Sequence, residues 1–81
     1  MENNYLKILS LFQDGKWEES HKEIQACSGE LPYLIHAYLH RVEGDLNNAK
    51  YWYARTGGEM PNNSLQGELN RLYLMAGRSD P

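Results

Sequence analysis

The positions of the apolar residues predict helices along most of the chain. Apolar side chains recur at intervals of three and four residues, which places them on one face of a helix, and no segment shows the two-residue alternation of a half-buried strand. Five such faces follow one another: Tyr5, Ile8, Leu9 and Phe12; Trp17, Ser20, Ile24 and Cys27; Leu31, Leu34, Ile35, Tyr38, Leu39 and Val42; Leu46, Ala49 and Tyr53; Leu65, Leu69, Leu72 and Ala76. We therefore expect an all-α protein of five helices without a sheet.

Glycine and proline residues divide these helices into two hairpins and a final helix. Gly15 and Gly44 each stand between two helical segments, where the left-handed conformation that glycine adopts ends a helix. Pro32 suits the first turn of the third helix, because a missing N–H costs nothing there. These breaks predict one domain over residues 1–81, with hairpins at 4–28 and 31–57 and a capping helix at 63–77.

The same breaks recur at a fixed interval, which indicates an internal repeat. Gly15 and Gly44 are 29 residues apart, and so are Pro32 and Pro61. The shift places small residues on small ones and bulky residues on bulky ones: Trp17 on Leu46, Ser20 on Ala49, and Ile24 on Tyr53. A single αα-hairpin cannot bury both of its faces, so we expect the two hairpins to stack.

The second copy of this repeat resembles the tetratricopeptide repeat. Gly44, Ala49, Tyr53 and Pro61 fall at the spacing of that family's second helix and closing turn. The period of 29 is shorter than the family's, which is about 34 residues, and Ala37 stands where the family has a glycine in its first helix. The resemblance implies a right-handed stack of αα-hairpins in which the final helix covers the core.

Residues 36–45 and 48–53 also resemble a group of short bacterial proteins to which no function is assigned. That resemblance implies a bacterial, cytoplasmic source. It implies no activity, and it therefore carries over no catalytic residues.

The composition of the chain excludes some classes of binding partner and indicates its cellular compartment. The chain has 81 residues with 8 basic and 11 acidic side chains, a net charge of −3, which argues against binding to nucleic acid or to an anionic membrane surface. No segment approaches the roughly 20 apolar residues of a membrane-spanning helix. The single cysteine, Cys27, excludes an intrachain disulfide, and residues 1–11 lack the features of a signal peptide. We expect a small cytoplasmic protein.

Aromatic residues are the first candidate for a functional surface. Tyr51, Trp52 and Tyr53 are consecutive, and because helical residues are about 100° apart they cover about half of the helix surface. Tyr53 belongs to the apolar face, so its two neighbours point elsewhere. One interpretation is a partner-binding surface, formed by Tyr33, Tyr38, Tyr51, Trp52 and Trp17. The other is that these rings pack between neighbouring helices.

Histidines are the second candidate. His36, His40 and Glu43 share one face of the third helix, because they are spaced four and three residues apart. The tetratricopeptide resemblance implies in addition that the part of the second helix carrying His21 packs against that face. Three imidazoles and a carboxylate in one groove suit zinc or another divalent metal. The alternative is structural, with histidines on a solvated face or hydrogen-bonded between helices.

The sequence as a whole favours a non-catalytic interaction protein. We expect it to bind a protein or peptide partner, or a second copy of itself as a homodimer, through the aromatic residues, and to need no cofactor. The alternative is a divalent-metal-binding protein or a metal-dependent hydrolase, in which His21, His36 and His40 hold the metal and Glu43 is a fourth ligand or general base. No catalytic residue is assigned, because the chain shows neither a Ser–His–Asp arrangement nor a glycine-rich phosphate loop.

Overall fold

The computed structural model describes residues 4–79, and in this range the chain forms five α-helices and no strand. They are α1 Tyr5–Gln13, α2 Trp17–Gln25, α3 Glu30–Glu43, α4 Leu46–Ala54 and α5 Leu65–Ser79. The prediction of an all-α protein with five helices is confirmed. None of the helices in the described range is both long and apolar enough to cross a bilayer. The two ends of the predicted domain, which spans residues 1–81, lie outside the described residues.

A glycine and an aspartate fix the tight turn between α3 and α4. Gly44 adopts a φ of 87°, in the left-handed region, and so ends α3 directly after Glu43. The backbone N–H of Asp45 then reaches back to the carbonyl oxygen of His40 at 2.9 Å. The side chain of Asp45 accepts a hydrogen bond from the backbone N–H of Asn48 at 3.3 Å and caps the start of α4. The turn therefore holds α4 close against the last turns of α3.

Helix α3 lies at the centre of the molecule and contacts α2, α4 and α5. Its apolar face is buried: Leu31, Leu34, Ile35, Tyr38 and Leu39. Helix α1 packs against α2 and α5, and the Tyr73 hydroxyl of α5 donates a hydrogen bond to Oε1 of Gln13 in α1 at 2.6 Å. The first and last helices therefore meet, and the bundle closes around α3.

Two leucines predicted for the buried faces are exposed instead. Leu46 is 48% exposed and Leu65 is 42% exposed, so the prediction that they belong to the core is wrong. Each is the first residue of its helix, and a helical side chain leans toward the N-terminus of the helix. At these two positions it therefore leans past the end of the helix, away from the packed interface. Later residues of the same faces are buried as predicted: Ala49, Tyr53, Leu69, Leu72 and Ala76.

A fully buried carboxylate, Glu68 of α5, joins three parts of the fold. It accepts hydrogen bonds from the Tyr53 hydroxyl of α4, from the Asn63 amide of the preceding loop, and from two guanidinium nitrogens of Arg71, each at 2.9 Å. Arg41 of α3 completes the network through Asn63, donating to its side-chain oxygen at 2.9 Å and to its backbone carbonyl at 2.6 Å. Every oxygen of the buried charge is thus satisfied, as burial of a carboxylate requires.

The hydrogen bonds to Glu68 decide its charge. Burial by itself raises the pKa of this carboxyl group, but the hydrogen bonds from Arg71, Asn63 and Tyr53 together outweigh burial and leave the pKa below its usual value. Burial raises the pKa of the Tyr53 hydroxyl to about 12, so that group stays protonated and remains a donor. The network therefore holds an ionised carboxylate at neutral pH.

Candidate functional site

The structure brings the three histidines of the chain together between α2 and α3. His21 lies on α2, and His36 and His40 lie one turn apart on α3. The Nε2 atoms of His21 and His36 are 3.1 Å apart, and one nitrogen from each of the three rings lies within 4.8 Å of the other two. His36 and His40 are buried and His21 is half-buried. The three imidazoles therefore form one cluster whose open side is at His21.

Packing of α2 against α3 holds His21 in place. The indole N–H of Trp17, at the start of α2, donates a hydrogen bond to the carbonyl oxygen of Leu39 in α3 at 2.9 Å. The Trp17 ring stacks on the His21 ring with a centroid distance of 4.8 Å and an angle of 13° between the planes. Trp17 and His21 are one helical turn apart on α2. The hydrogen bond that anchors the indole therefore also sets the position of the imidazole stacked on it.

A second indole covers the other side of the cluster. Trp52 of α4 stacks on His36 with a centroid distance of 3.9 Å and an angle of 16° between the planes. The cluster therefore lies between two tryptophans, with Trp17 against His21 and Trp52 against His36. Such aromatic walls exclude water from the imidazole faces and leave only the ring edges for hydrogen bonding or ligation.

This environment keeps two of the imidazoles neutral. Burial, followed by the neighbouring His21 and His40, lowers the pKa of His36 to about 4. Burial also lowers the pKa of His21, together with His40, while Glu43 opposes this in part. Because an Nε2 atom faces an Nε2 atom between His21 and His36, one must carry the proton and the other must accept it. At neutral pH this pair therefore presents an imidazole lone pair inside the cluster.

The carboxylate of Glu43 forms a hydrogen bond with Nδ1 of His40. Its Oε2 atom lies 2.5 Å from His40 Nδ1, and its side chain is 38% exposed. A carboxylate on Nδ1 orients the ring and leaves Nε2 as the other nitrogen of that imidazole. Glu43 thus lies where it can position His40. The sequence-based hypothesis had given it the role of a fourth ligand or a general base.

The predicted aromatic surface is formed by three of the five residues proposed for it. Tyr33 of α3 lies 5.3 Å from Trp52 between ring centroids, and Tyr51 lies 5.3 Å from Trp52 in an edge-to-face contact. Tyr51 is 56% exposed, and the other two rings are half-buried. We call Tyr33, Tyr51 and Trp52 the aromatic surface.

The other two residues lie elsewhere. Tyr38 is 2% exposed and packs edge-to-face on Phe12 at 5.4 Å, so the prediction that it contacts a partner is wrong. It belongs to the apolar face of α3, and its ring fills the space between α3 and α1. Trp17 is half-buried beside His21 and is separated from the aromatic surface by the histidine cluster.

Sequence reasoning missed Arg55, which lies against the aromatic surface. Its guanidinium carbon is 4.7 Å from the ring centroid of Tyr33, 4.9 Å from that of Trp52 and 5.8 Å from that of Tyr51. The spacing carried a signal, because Arg55 follows Trp52 by three residues and Tyr51 by four. A cation at that spacing from two aromatic residues on one helix points to a stacked guanidinium.

No family model matches the chain, and no curated protein or solved structure shows significant similarity to it. The tetratricopeptide-like stacking therefore stays a prediction.

Proposed function

We propose that this protein binds one divalent transition-metal ion through His21, His36 and His40. The observation that carries the proposal is the convergence of three imidazole nitrogens within 4.8 Å of one another at one edge of the α2–α3 interface. A tetrahedral zinc ion with Zn–N bonds of about 2.0–2.1 Å needs ligand nitrogens separated by roughly 3.3 Å. His21 and His36, at 3.1 Å, are already close to that separation, and the His40 ring, with a nitrogen within 4.8 Å of both, would have to move toward them on binding.

The donor set favours particular metals. Three neutral imidazoles suit zinc, copper or nickel, whereas magnesium and calcium prefer oxygen ligands. The lowered pKa values of His21 and His36 support this, since only the unprotonated ring is a ligand. A fourth position, toward the half-buried His21, would be filled by water or by a ligand in solution.

The position of Glu43 fits an orienting role. Histidine ligands commonly donate their second N–H to a carboxylate, which fixes the ring and makes the ligating nitrogen more basic. Glu43 on Nδ1 of His40 has this arrangement. Since that carboxylate is engaged by the imidazole, the proposal is metal binding and includes no hydrolytic step. Binding of a protein or peptide partner, and homodimerisation, stay separate predictions.

A competition titration tests the proposal. Zinc is added to the metal-free protein in the presence of a chromophoric chelator, and the dissociation constant is compared among variants. We expect the wild type to bind one zinc ion with a dissociation constant below about 1 μM. His21→Gln, at the half-buried ligand, should weaken binding by at least about 100-fold, and Glu43→Gln by about 10-fold.

The matched control is Glu18→Gln, on the exposed face of α2, which should bind zinc as the wild type does. Circular dichroism of the metal-free variants establishes that each one is folded. Equal zinc affinity in His21→Gln and Glu18→Gln would contradict the proposal, because a ligand and a remote surface residue would then be equivalent.

A further inference from the structure

The aromatic surface carries a cation that the fold does not neutralise. The guanidinium of Arg55 lies against Tyr33 and Trp52, and its one hydrogen bond among the described residues is a long one, 3.4 Å, to the Tyr33 hydroxyl. No carboxylate in the described part of the chain forms an ion pair with it. A guanidinium has five N–H donors in one plane, so most of those of Arg55 remain available to a ligand.

The charge around this surface differs from that of the rest of the chain. The chain has a net charge of −3, yet residues 46–58 contain Lys50 and Arg55 and no acidic residue. Residues 46–58 are therefore a locally basic strip of sequence on an acidic protein, in which Arg55, directly after α4, is the cation that lies against the rings. An anionic group that approaches the molecule finds its complementary charge at this strip.

We propose that the aromatic surface and Arg55 form a docking site for an acidic peptide segment of a partner protein. A carboxylate of the partner accepts paired hydrogen bonds from the guanidinium of Arg55, which the aromatic rings hold in a fixed plane. An adjacent apolar or aromatic side chain of the partner packs on Tyr51, whose ring is 56% exposed, and on the accessible edge of Trp52. The site therefore recognises a carboxylate that lies next to an apolar side chain.

The contacts favour a peptide over the other occupants of such a surface. A nucleic acid would place bases on the rings and phosphates on the cations, but residues 46–58 supply two cations on a chain with an acidic balance. A second copy of this chain would have to present an acidic, apolar segment to the same strip. Binding of a nucleic acid and binding of a second copy can each be distinguished by experiment from binding of an acidic peptide.

The experiment is an NMR titration with two matched probes. One is a terminally blocked hexapeptide that contains phenylalanine and leucine between glutamates, and the other replaces each glutamate by glutamine. We expect the acidic peptide to shift the Trp52 indole N–H and Arg55 Nε–H signals. It should bind at least about 10-fold more tightly than the glutamine peptide, which is the expected value of a charge-assisted bidentate contact.

Two variants, one at Arg55 directly after α4 and one at Lys50 within α4, separate the role of Arg55 from general charge. Arg55→Gln should reduce binding of the acidic peptide to the level of the glutamine peptide, while Lys50→Gln, which removes the same charge, should keep most of the affinity. Circular dichroism of each variant establishes that the fold is intact, so this test does not depend on whether the protein binds zinc.

Three results of the peptide titration would overturn this docking site. They are equal affinity for the two peptides, equal loss in the two variants, and no shift at peptide concentrations up to about 1 mM. Preferential binding of an oligonucleotide would assign the surface to nucleic acid and reject the peptide. Self-association that disappears in Arg55→Gln, detected by sedimentation velocity, would make a second copy the occupant and reject it as well.

Discussion

His36 shows how burial and stacking set the chemistry of a single residue. Its side chain is 4% exposed, lies flat against Trp52 at 3.9 Å and shares a proton with His21. An imidazolium at this position would lose its hydration and face two further imidazoles, so the neutral ring is strongly preferred. The same preference suits His36 to the proposed metal ligation, and we expect it to make the metal-free fold sensitive to acid.

The pH dependence of stability tests this description of His36. In the unfolded chain its pKa is about 6.5 and in the folded chain about 4, so below pH 6.5 the unfolded state binds a proton that the folded state does not. Stability is therefore complete above pH 6.5 and is lost as the pH falls toward 4. Between pH 7 and pH 5 we expect the free energy of unfolding to fall by about 2 kcal/mol from His36 alone.

Urea denaturation with a metal chelator present measures this loss. His36→Gln lacks the titrating ring, so its stability should change less than that of the wild type between the two pH values. His21 adds a loss of the same sign in both proteins. An equal loss in the wild type and in His36→Gln would show that His36 is not held neutral by the fold.

At the scale of helices, polar contacts link elements that apolar packing alone would leave free to slide. Glu68 of α5 accepts hydrogen bonds from α4 and from the loop that contains Asn63, and Arg41 of α3 binds that same loop. Hydrogen bonds have fixed directions, so the network specifies the register of α5 against α3 and α4. Apolar contacts are not directional and would tolerate neighbouring registers.

Substitution of Glu68 tests the contribution of this network. Glu68→Gln keeps the size of the side chain but removes the charge that Arg71 and the Tyr53 hydroxyl bind, and we expect a loss of about 2–3 kcal/mol in the free energy of unfolding. The control is Glu59→Gln, an exposed acidic residue, which should change stability by less than about 0.5 kcal/mol. Urea denaturation at neutral pH measures both. Similar losses in the two variants would mean that the network is not a stabilising element.

The helices also show how much of the fold the sequence could predict. Helices and their breaks follow from local signals, such as the apolar spacing and the left-handed turn at Gly44, so all five helices were predictable. Burial by neighbouring helices is not a local property, and the spacing alone therefore placed Leu46 in the core. Leu46 is 48% exposed because it is the first residue of α4 and its side chain leans past the end of the helix. Glu68 lies beside Leu69 on the apolar face of α5 and three residues before Arg71, which were signals of a buried ion pair. The hydrogen bond from the Tyr53 hydroxyl comes from α4, so spacing along α5 could not predict it.

The candidate site was predictable only in part for the same reason. Spacing alone placed His36, His40 and Glu43 on one helix face. The approach of His21 depends on how α2 packs on α3, and only the tetratricopeptide resemblance implied it. The 3.1 Å contact between His21 and His36 requires the structure itself.

Considered as a whole molecule, the bundle places the histidine cluster where its two hairpins meet. His21 belongs to the first hairpin, and His36 and His40 belong to the second. A metal ion held by all three would therefore link the hairpins, in addition to the hydrogen bond from the Trp17 indole to the carbonyl oxygen of Leu39. On the far side, contacts between α1 and α5 close the bundle, so such a link would form within a closed structure. The proposed metal site therefore requires all three rings to bind the same ion.

The imidazole nitrogens can be observed directly, because the chain contains three histidines and its ¹H–¹⁵N spectrum of side-chain rings is small enough to assign completely. The decisive measurement is this spectrum before and after one equivalent of zinc is added at neutral pH. We expect the signal of one nitrogen in each of the three rings to move to the position of a metal-bound imidazole, and Nδ1 of His40 to keep its proton toward Glu43. A spectrum that zinc leaves unchanged, or one in which fewer than three rings respond, would contradict a metal site formed by His21, His36 and His40.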